Sequence, residues 1–342
     1  MSRPAHGRPT GKYEILLITL LLWMVTGGAA GGSLGLRSCG GGSMTAPNPQ
    51  PSPTPPPPAP SPTPNPSPPP APVVEASNVV LIVLENINYA DVVGSANAPY
   101  LNSLMTQGTL ATAYYANVHP SIGNYFMMTS GNIVSTDDAY SGTVAPPEIV
   151  SALTAAGKSW RVYAEGIPAA GYIGGDTGAY QKRHNPLSYF TDVAGTAAAA
   201  QIVPFTQLAT DTTGVLPNFV MIVGNIYDQG HDCLPTVVSC MTAVRLQQAD
   251  SWLKSTVPQI LSNAGFQASG LLAVTFDESE NDNTNGGGQV ATVLVGTNVK
   301  AGYQAGGMYQ HQSLLRLMLE AQGVSALPGA SAGAASMGEV WK

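Results

Sequence analysis

The amino-acid sequence predicts an α/β fold with a mostly parallel central sheet flanked by helices. Four runs of apolar, largely β-branched residues have the composition of strands that are buried on both faces of a sheet. These runs are residues 78–84, 217–223, 270–276 and 289–295. Helical stretches separate them, and strands that alternate with helices are typical of a parallel sheet. The 267 residues from 76 to 342 suffice for one large domain with its own core.

The remaining elements follow in order along the chain. The run NVVLIVL (78–84) has no charged residue and begins the sheet, and shorter strands are predicted at 110–115 and 159–163. A helix is predicted to start near Ile122, and other helices are predicted at 99–107, 147–156, 242–263 and 312–321. The sequence contains no internal repeat.

Acidic residues follow three of the predicted strands. They are Glu85 (beside Asn86) after the first run, Asp228 and Asp232 (beside His231) after 217–223, and Asp277 and Glu278 after 270–276. In open α/β sheets the ligand site lies beyond the carboxyl ends of the strands, so we expect these acids to meet in one crevice. Carboxylates that meet without Lys or Arg need protons or a cation, which favours a divalent metal of unidentified kind. The sequence leaves open that each acid only caps a turn.

A serine precedes a predicted helix in the segment HPSIGNY (119–125). The backbone N–H groups and the positive dipole end at a helix N-terminus suit an anionic phosphoryl group, and metal coordination could activate the Ser121 hydroxyl as a nucleophile. The alternative is that Ser121 is an ordinary N-cap, which is the commonest role of a serine at this position. Of the four histidines in the domain, His231 and His311 are the better candidates for metal ligands or general acids, whereas His119 and His184 are further pocket candidates.

The first 75 residues have a different composition from the rest. Basic residues precede the apolar run 15–26 and small residues follow it, which is the pattern of an export signal. Cys39 lies in a segment that resembles a bacterial lipoprotein cleavage box; cleavage near Ala29 or Ala30 and an uncleaved membrane anchor are the alternatives. We therefore expect a signal or anchor at 1–39, a proline-rich linker at 40–75, and a catalytic domain at 76–342 of an exported bacterial protein.

The linker is rich in proline: of the 29 prolines, 16 lie between Pro47 and Pro72, which predicts an extended spacer.

Charge and cysteine content narrow the possible function classes of the domain. Residues 1–75 contain 4 of the 13 basic and 2 of the 20 acidic residues, so 9 basic and 18 acidic residues remain, a formal charge of −9. This balance argues against a protein that binds nucleic acid independently of sequence. Cys233 and Cys240 are predicted to form a disulfide, with free thiols as the alternative.

Seven segments in order resemble the bacterial phosphoesterase family of acid phosphatases and phospholipases C, which is related to the alkaline-phosphatase-like superfamily. They are LENINY (84–89), HPSIGNY (119–125), KRHNP (182–186), PNFVMIVGNIYDQGHD (217–232), QADSWLKSTVPQIL (248–261), TFDES (275–279) and YQHQSLLRLM (309–318). The resemblance implies an alkaline-phosphatase-like fold and a metal-dependent phosphoester hydrolase with a hydroxyl nucleophile. Its substrate would be a small phosphate ester.

The resemblance also assigns roles to residues. Ser121 matches the nucleophile, and Asn124 the amide that steadies a phosphoryl oxygen. The matching metal ligands are Glu85, Asn86, Asp277 and Glu278, together with the Ser121 oxygen. His231 and His311, and with them His119 and His184, match histidines of the pocket. One extra residue separates Asp228 from His231, which puts the role of Asp228 in doubt, whereas His231-Asp232 keeps the pattern.

The leading expectation is an exported acid phosphatase that acts on phosphate monoesters. A phospholipase C or other phosphodiesterase would use the same groups. A surface-tethered binding protein on a decayed enzyme fold is the alternative from another class. Contact with a membrane is expected only through the N-terminal segment, and the sequence predicts no oligomeric state.

Overall fold

The computed structural model describes residues 74–342. The predicted export segment, Cys39 and the linker up to residue 73 lie outside the described residues. No helix within residues 74–342 is long and apolar enough to cross a membrane.

An eight-stranded sheet forms the centre of the domain, in the order β5-β4-β6-β1-β7-β8-β2-β9. A second sheet pairs β10 with β3. The strands are β1 (Val79–Leu84), β2 (Thr109–Ala111), β3 (Tyr114–Tyr115), β4 (Trp160–Ala164), β5 (Ile202–Pro204), β6 (Phe219–Val223), β7 (Leu271–Phe276), β8 (Thr292–Gly296), β9 (Tyr303–Ala305) and β10 (Tyr309–Gln310).

The middle of the sheet consists of parallel strands that are covered on both faces. All six side chains of β1 are buried, and β1 pairs in parallel with β6 on one side and with β7 on the other. Among the strands of this sheet within residues 74–342, only β8 runs antiparallel to its neighbours, β7 and β2. The prediction of a mostly parallel sheet flanked by helices is therefore confirmed.

Eight α-helices are described. They are α1 (Tyr89–Val92), α2 (Pro99–Gln107), α3 (Ser121–Ser130), α4 (Ile149–Ala155), α5 (Leu208–Asp211), α6 (Thr242–Leu261), α7 (Ala264–Ser269) and α8 (His311–Glu320). The long helix α6 buries one stripe, which includes Leu246, Leu253, Val257 and Ile260. This spacing of three, four or seven residues gives a single apolar face toward the core.

Helix α3 differs from the surface helices because all ten of its residues are buried. It packs against α8 and against the 3₁₀ turn Lys182–His184. A helix enclosed on every side holds its first turn, and hence Ser121, in a fixed position.

Two strand predictions differ from the structure. The segment 110–115 is not one strand, because β2 belongs to the large sheet while β3 pairs with β10 in the second sheet. The Thr112 hydroxyl, between the two strands, donates to the carbonyl of Ala305. The last strand, predicted at 289–295, begins only at Thr292. Gln289 instead donates its amide to Asp282 in the loop that follows β7.

Candidate active site

Side chains at the carboxyl ends of β1 and β7 meet beside the first turn of α3. Glu85 directly follows β1 and is fully buried, and Asp277 and Glu278, also buried, directly follow β7. Because β1 and β7 are parallel neighbours, their carboxyl ends lie at the same edge of the sheet. The prediction that these acids converge follows from this strand order.

Glu85 is the most connected of these carboxylates. Its Oε2 accepts hydrogen bonds from Ser121 Oγ at 3.2 Å and from Asn86 Nδ2 at 3.0 Å. Its Oε1 accepts one from Tyr125 Oη at 2.5 Å. The Glu85 amide donates to the carbonyl of Gln229, which ties the end of β1 to the loop after β6. These contacts hold the Ser121 hydroxyl against a carboxylate oxygen.

Asp277 and Glu278 complete the acidic side of the site. Asp277 Oδ1 accepts from the Asn86 amide at 3.1 Å, whereas Oδ2 is buried without a hydrogen-bond partner. Glu278 lies 3.0 Å from His119 Nδ1 and 3.3 Å from Asn124 Nδ2. Within residues 74–342 no Lys or Arg forms an ion pair with Glu85, Asp277 or Glu278.

Burial changes the protonation of all three acids. It raises the pKa of Glu85 well above its ordinary value, and the neighbouring charge of Asp277 raises it further. It raises the pKa of Asp277 to about 6. It raises that of Glu278 to about 9, with the negative charges of Asp277 and Asp138 adding to the effect. Three neighbouring acids therefore favour either protons or a cation.

The donor set fits a divalent cation by its chemistry. Carboxylate, amide and hydroxyl oxygens from Glu85, Asn86, Ser121, Asp277 and Glu278 are hard donors, and Asp277 Oδ2 is buried with no partner. No group of three or more His, Cys, Asp and Glu side chains in the described part of the chain is arranged to hold a metal as it stands. Asn86 and Ser121 fall outside that residue set, and Glu85 is bonded to both of them and to Tyr125.

The four histidines occupy two kinds of position. His311 is fully buried; its Nε2 donates to the Asp277 carbonyl at 2.6 Å, so Nδ1 is the acceptor for the Tyr114 hydroxyl at 3.0 Å. His184 is also buried, between Gln229 at Nδ1 and Glu85 Oε1 at 3.4 Å from Nε2. Burial lowers the pKa of His311 to about 4 and that of His184 well below its ordinary value. These two histidines are held neutral.

The other two histidines are partly exposed. His119 donates from Nε2 to the Asp282 carbonyl at 3.0 Å, so a further proton lies between its Nδ1 and Glu278. His231 contacts Asp232 through Nδ1 at 3.1 Å, and its ring centroid lies 6.0 Å from that of His184. Of the four rings, these two are the ones in contact with solvent, with side chains 28% exposed.

Asn124 and Asp228 have other contacts than the sequence suggests. The Asn124 side chain closes the turn before α3, since Oδ1 accepts from the Asn117 amide and Nδ2 donates to the Val118 carbonyl. Asp228 accepts from Asn225, whose amide also donates to Glu165. Asp228 is therefore in a neighbouring acidic cluster. The residue next to it, Gln229, reaches the site.

Known proteins resemble this chain both in sequence and in fold. Residues 94–325 match the Phosphoesterase family. The chain belongs to the phosphoesterase family. It is 28% identical over 229 residues to a phosphatidylinositol-3-phosphatase of Mycobacterium tuberculosis, covering 66% of this chain and 70% of that protein.

Two further similarities place this phosphoesterase among its relatives. It is 30% identical over 213 residues to a probable acid phosphatase of Kluyveromyces lactis, covering 58% of this chain but only 47% of the yeast protein. A protein of the alkaline phosphatase superfamily from Vibrio parahaemolyticus has the same fold, with a TM-score of 0.53 and 13% identity over 74% of this chain and 68% of that one. The alkaline-phosphatase-like fold and the family resemblance are thus confirmed.

Sequence reasoning missed two residues of this phosphoesterase that contact the site. Tyr125 lies four residues after Ser121, on the same face of α3, and this spacing could have indicated its contact with Glu85. Gln229 is the side chain that holds His184, and no sequence signal distinguished it from Asp228. The structure also joins Cys233 and Cys240 in a disulfide, with their Cα atoms 5.5 Å apart, two residues after His231.

Proposed function

We propose that this chain is an exported, metal-dependent hydrolase of phosphate monoesters with Ser121 as its nucleophile. One observation supports the proposal above the others: the buried Ser121 hydroxyl donates to Glu85 Oε2 at 3.2 Å among three carboxylates. A serine so held has a base beside it and a fixed direction. The similarity to proteins named acid phosphatases agrees with a monoester substrate.

The chain's own residues account for the proton movements. Ser121 Oγ attacks phosphorus and its proton passes toward Glu85, while the bond from phosphorus to the leaving oxygen breaks. His231, oriented by Asp232, donates the proton that the leaving oxygen needs. Water then attacks phosphorus and loses a proton to His231, while the bond from phosphorus to Ser121 Oγ breaks and the serine regains its proton from Glu85. A divalent cation held by Glu85, Asn86, Asp277 and Glu278 would supply the positive charge that the phosphoryl group requires.

Substitution of the nucleophile tests the proposal. Ser121→Ala should reduce turnover of p-nitrophenyl phosphate by at least about a thousandfold, because a covalent step is lost. Ser130→Ala is the matched control, since Ser130 is equally buried in α3 and its hydroxyl donates to the helix carbonyl of Phe126. Metal content is measured in both variants. Undiminished turnover by Ser121→Ala with its metal retained would refute the proposal.

The same assay separates the alternatives. Bis(p-nitrophenyl) phosphate is the diester analogue, so faster turnover of that compound would favour a phosphodiesterase. No turnover of either ester by the metal-replete protein would favour a non-catalytic binding protein. For export, the mass of the mature N-terminus distinguishes a lipid on Cys39 from simple cleavage or an intact anchor.

A second candidate substrate is a phosphomonoester carried on a lipid. The disulfide-closed loop after His231 exposes Leu234 (46%) and Val238 (104%), and Met241 (58%) directly follows this loop, which gives an apolar edge next to His231. One relative is named as a phosphatidylinositol-3-phosphatase. Val238→Ser should slow turnover of phosphatidylinositol 3-phosphate in phosphatidylcholine vesicles and leave p-nitrophenyl phosphate unaffected. The control is Val215→Ser, equally exposed (97%) but ahead of β6, at the opposite edge of the sheet. Equal effects of both variants would contradict the lipid substrate.

A further inference from the structure

Two arginines lie close to the candidate site, and their bonding differs. Arg245 is buried and fully engaged: it donates to the carbonyls of Gly230 and His231 and pairs with Glu280 at 2.5 Å. Arg183 is largely enclosed, with its side chain 15% exposed; its Nη1 donates to Gln181 Oε1, but its buried Nε has no hydrogen-bond partner. The guanidinium of Arg183 is therefore a cation with unused donor capacity.

Arg183 faces the nucleophile across one carboxyl group. Its Nε lies 3.7 Å from Asp138 Oδ2, too far for a hydrogen bond, and Asp138 Oδ1 accepts from the Ile122 amide at 3.2 Å. Ile122 directly follows Ser121 in the first turn of α3. Asp138 thus holds an anionic group between a helix N-terminal amide and a guanidinium, beside the nucleophile.

The surrounding charges locate Arg183 at the same pocket. It directly precedes His184, which contacts Glu85. Burial lowers the pKa of His184 most, and the positive charge of Arg183 lowers it further. On the other side, the charge of Asp138 contributes to the raised pKa of Glu278. The charges of both Arg183 and Asp138 therefore act on residues that surround Ser121.

A phosphoryl group matches this arrangement better than Asp138 does. Guanidinium groups bind phosphate and carboxylate through two parallel hydrogen bonds, and backbone amides at a helix N-terminus favour anions. Asp138 satisfies the amide but leaves Arg183 Nε unbonded. The Asp138 side chain is also 37% exposed, on the loop between α3 and α4, so it can be displaced into solvent.

We propose that Arg183 is a substrate-binding residue whose guanidinium exchanges Asp138 for the phosphoryl oxygens when the phosphoester enters the site. Asp138 occupies the anion position in the free protein and competes with the phosphoryl group for Arg183 and for the Ile122 amide. This inference rests on the proposed function, since it assigns a binding role at the same site. It makes affinity for phosphate depend on two residues outside the predicted metal set.

A double-mutant cycle on the full chain tests the exchange, with inorganic phosphate as the probe and calorimetry as the measurement. Arg183→Gln should raise the Kd for phosphate roughly tenfold or more, because a charge-assisted contact is lost. Asp138→Asn should lower the Kd several-fold, because the competing anion is removed. In the double variant, the gain from Asp138→Asn should shrink to about twofold or less, since the two residues act on one group.

Controls separate this role from general charge and from misfolding. Asp137→Asn makes the same charge change one residue away, where the carboxylate contacts only the Ala139 amide, and should leave the Kd unchanged. Arg183→Lys keeps the charge without the fork and should give an intermediate Kd. Circular dichroism and thermal melting verify that each variant is folded.

Three results would overturn the proposal. One is a Kd for phosphate in Arg183→Gln that lies within about twofold of the wild-type value. The others are a decrease in Kd from Asp138→Asn that is as large in the double variant as in the single one, or an equal decrease in Kd from Asp137→Asn. Phosphate binding is measured without turnover. A protein that binds phosphate through Arg183 but hydrolyses no ester would therefore refute the proposed function and leave this inference standing.

Discussion

A buried carboxyl group outside the site should make the fold more stable in acid. Glu148 is fully buried at the N-cap of α4, where its two oxygens accept from the Ser151 amide at 3.1 and 3.0 Å. Burial raises its pKa from 4.5 to about 8, although the bonds to the helix oppose the rise. We predict that Glu148→Gln removes a pH-dependent loss of stability, because the amide keeps an acceptor for Ser151 but cannot ionise.

The sign and size follow from the two pKa values. A carboxyl group with a raised pKa in the folded state contributes stability that is complete below the unfolded pKa and is lost as pH rises toward about 8. At about 1.4 kcal/mol per pKa unit, the loss from Glu148 between pH 5 and pH 7.5 is about 3 kcal/mol. That is a large part of the ~5–15 kcal/mol by which domains are stable.

Urea unfolding of both proteins at pH 5 and pH 7.5, with chelator present, measures this difference. The wild type should lose about 3 kcal/mol more than Glu148→Gln between these two pH values. Glu75→Gln, at an exposed carboxylate, is the control and should keep the wild-type pH dependence. If wild type and Glu148→Gln lose the same amount, Glu148 is already ionised in the folded protein at pH 5, and the reasoning from burial is wrong.

Three further predictions concern the site. Tyr125→Phe removes the 2.5 Å hydrogen bond that lowers the pKa of Glu85, so the acidic limb of the pH profile of kcat/KM should move to higher pH. Activation should also need roughly ten- to a hundredfold more cation. An acidic limb at the wild-type pH would contradict this prediction. Because the pKa values of Glu85, Asp277 and Glu278 are raised, the stability of the cation-free protein should fall as pH rises. Mn²⁺ should therefore raise Tm more at pH 8 than at pH 5. Equal increases in Tm at the two pH values would argue against a cation among these acids. His231→Asn should slow the hydrolysis of alkyl phosphates at least tenfold more than that of p-nitrophenyl phosphate, because the p-nitrophenolate leaving group needs no proton. Equal slowing of the two substrates would exclude His231 as the general acid.

The central strands and longer helices could be predicted from the sequence because their patterns are local. The run 79–84 is apolar throughout, and this composition is typical of a strand covered on both faces. Helix α2 begins and ends at Pro99 and Gln107 as expected. The segment 110–115 could not be divided correctly, because the partners that split it, β8, β9 and β10, lie about 180 to 200 residues further along the chain.

The site was predictable as far as single residues carry a signal. Glu85, Asp277 and Glu278 each follow a recognisable strand, so their position at one edge follows from parallel pairing. The sequence could not distinguish His311 and His184 from the accessible His119 and His231, since burial is a property of the packed domain. Likewise, Gln229 and not its neighbour Asp228 points to His184, because the turn after β6 decides which side chain faces inward.

The sequence by itself determined the fold class, the family and the acidic character of the site, because apolar runs and short motifs are encoded in neighbouring residues. Only the tertiary structure decided which groups share protons, which histidines are closed off, and that Arg183 lies behind Asp138 beside the nucleophile. Those features depend on burial and on distances between segments that are far apart in the chain. Such distances are set only when the whole core packs.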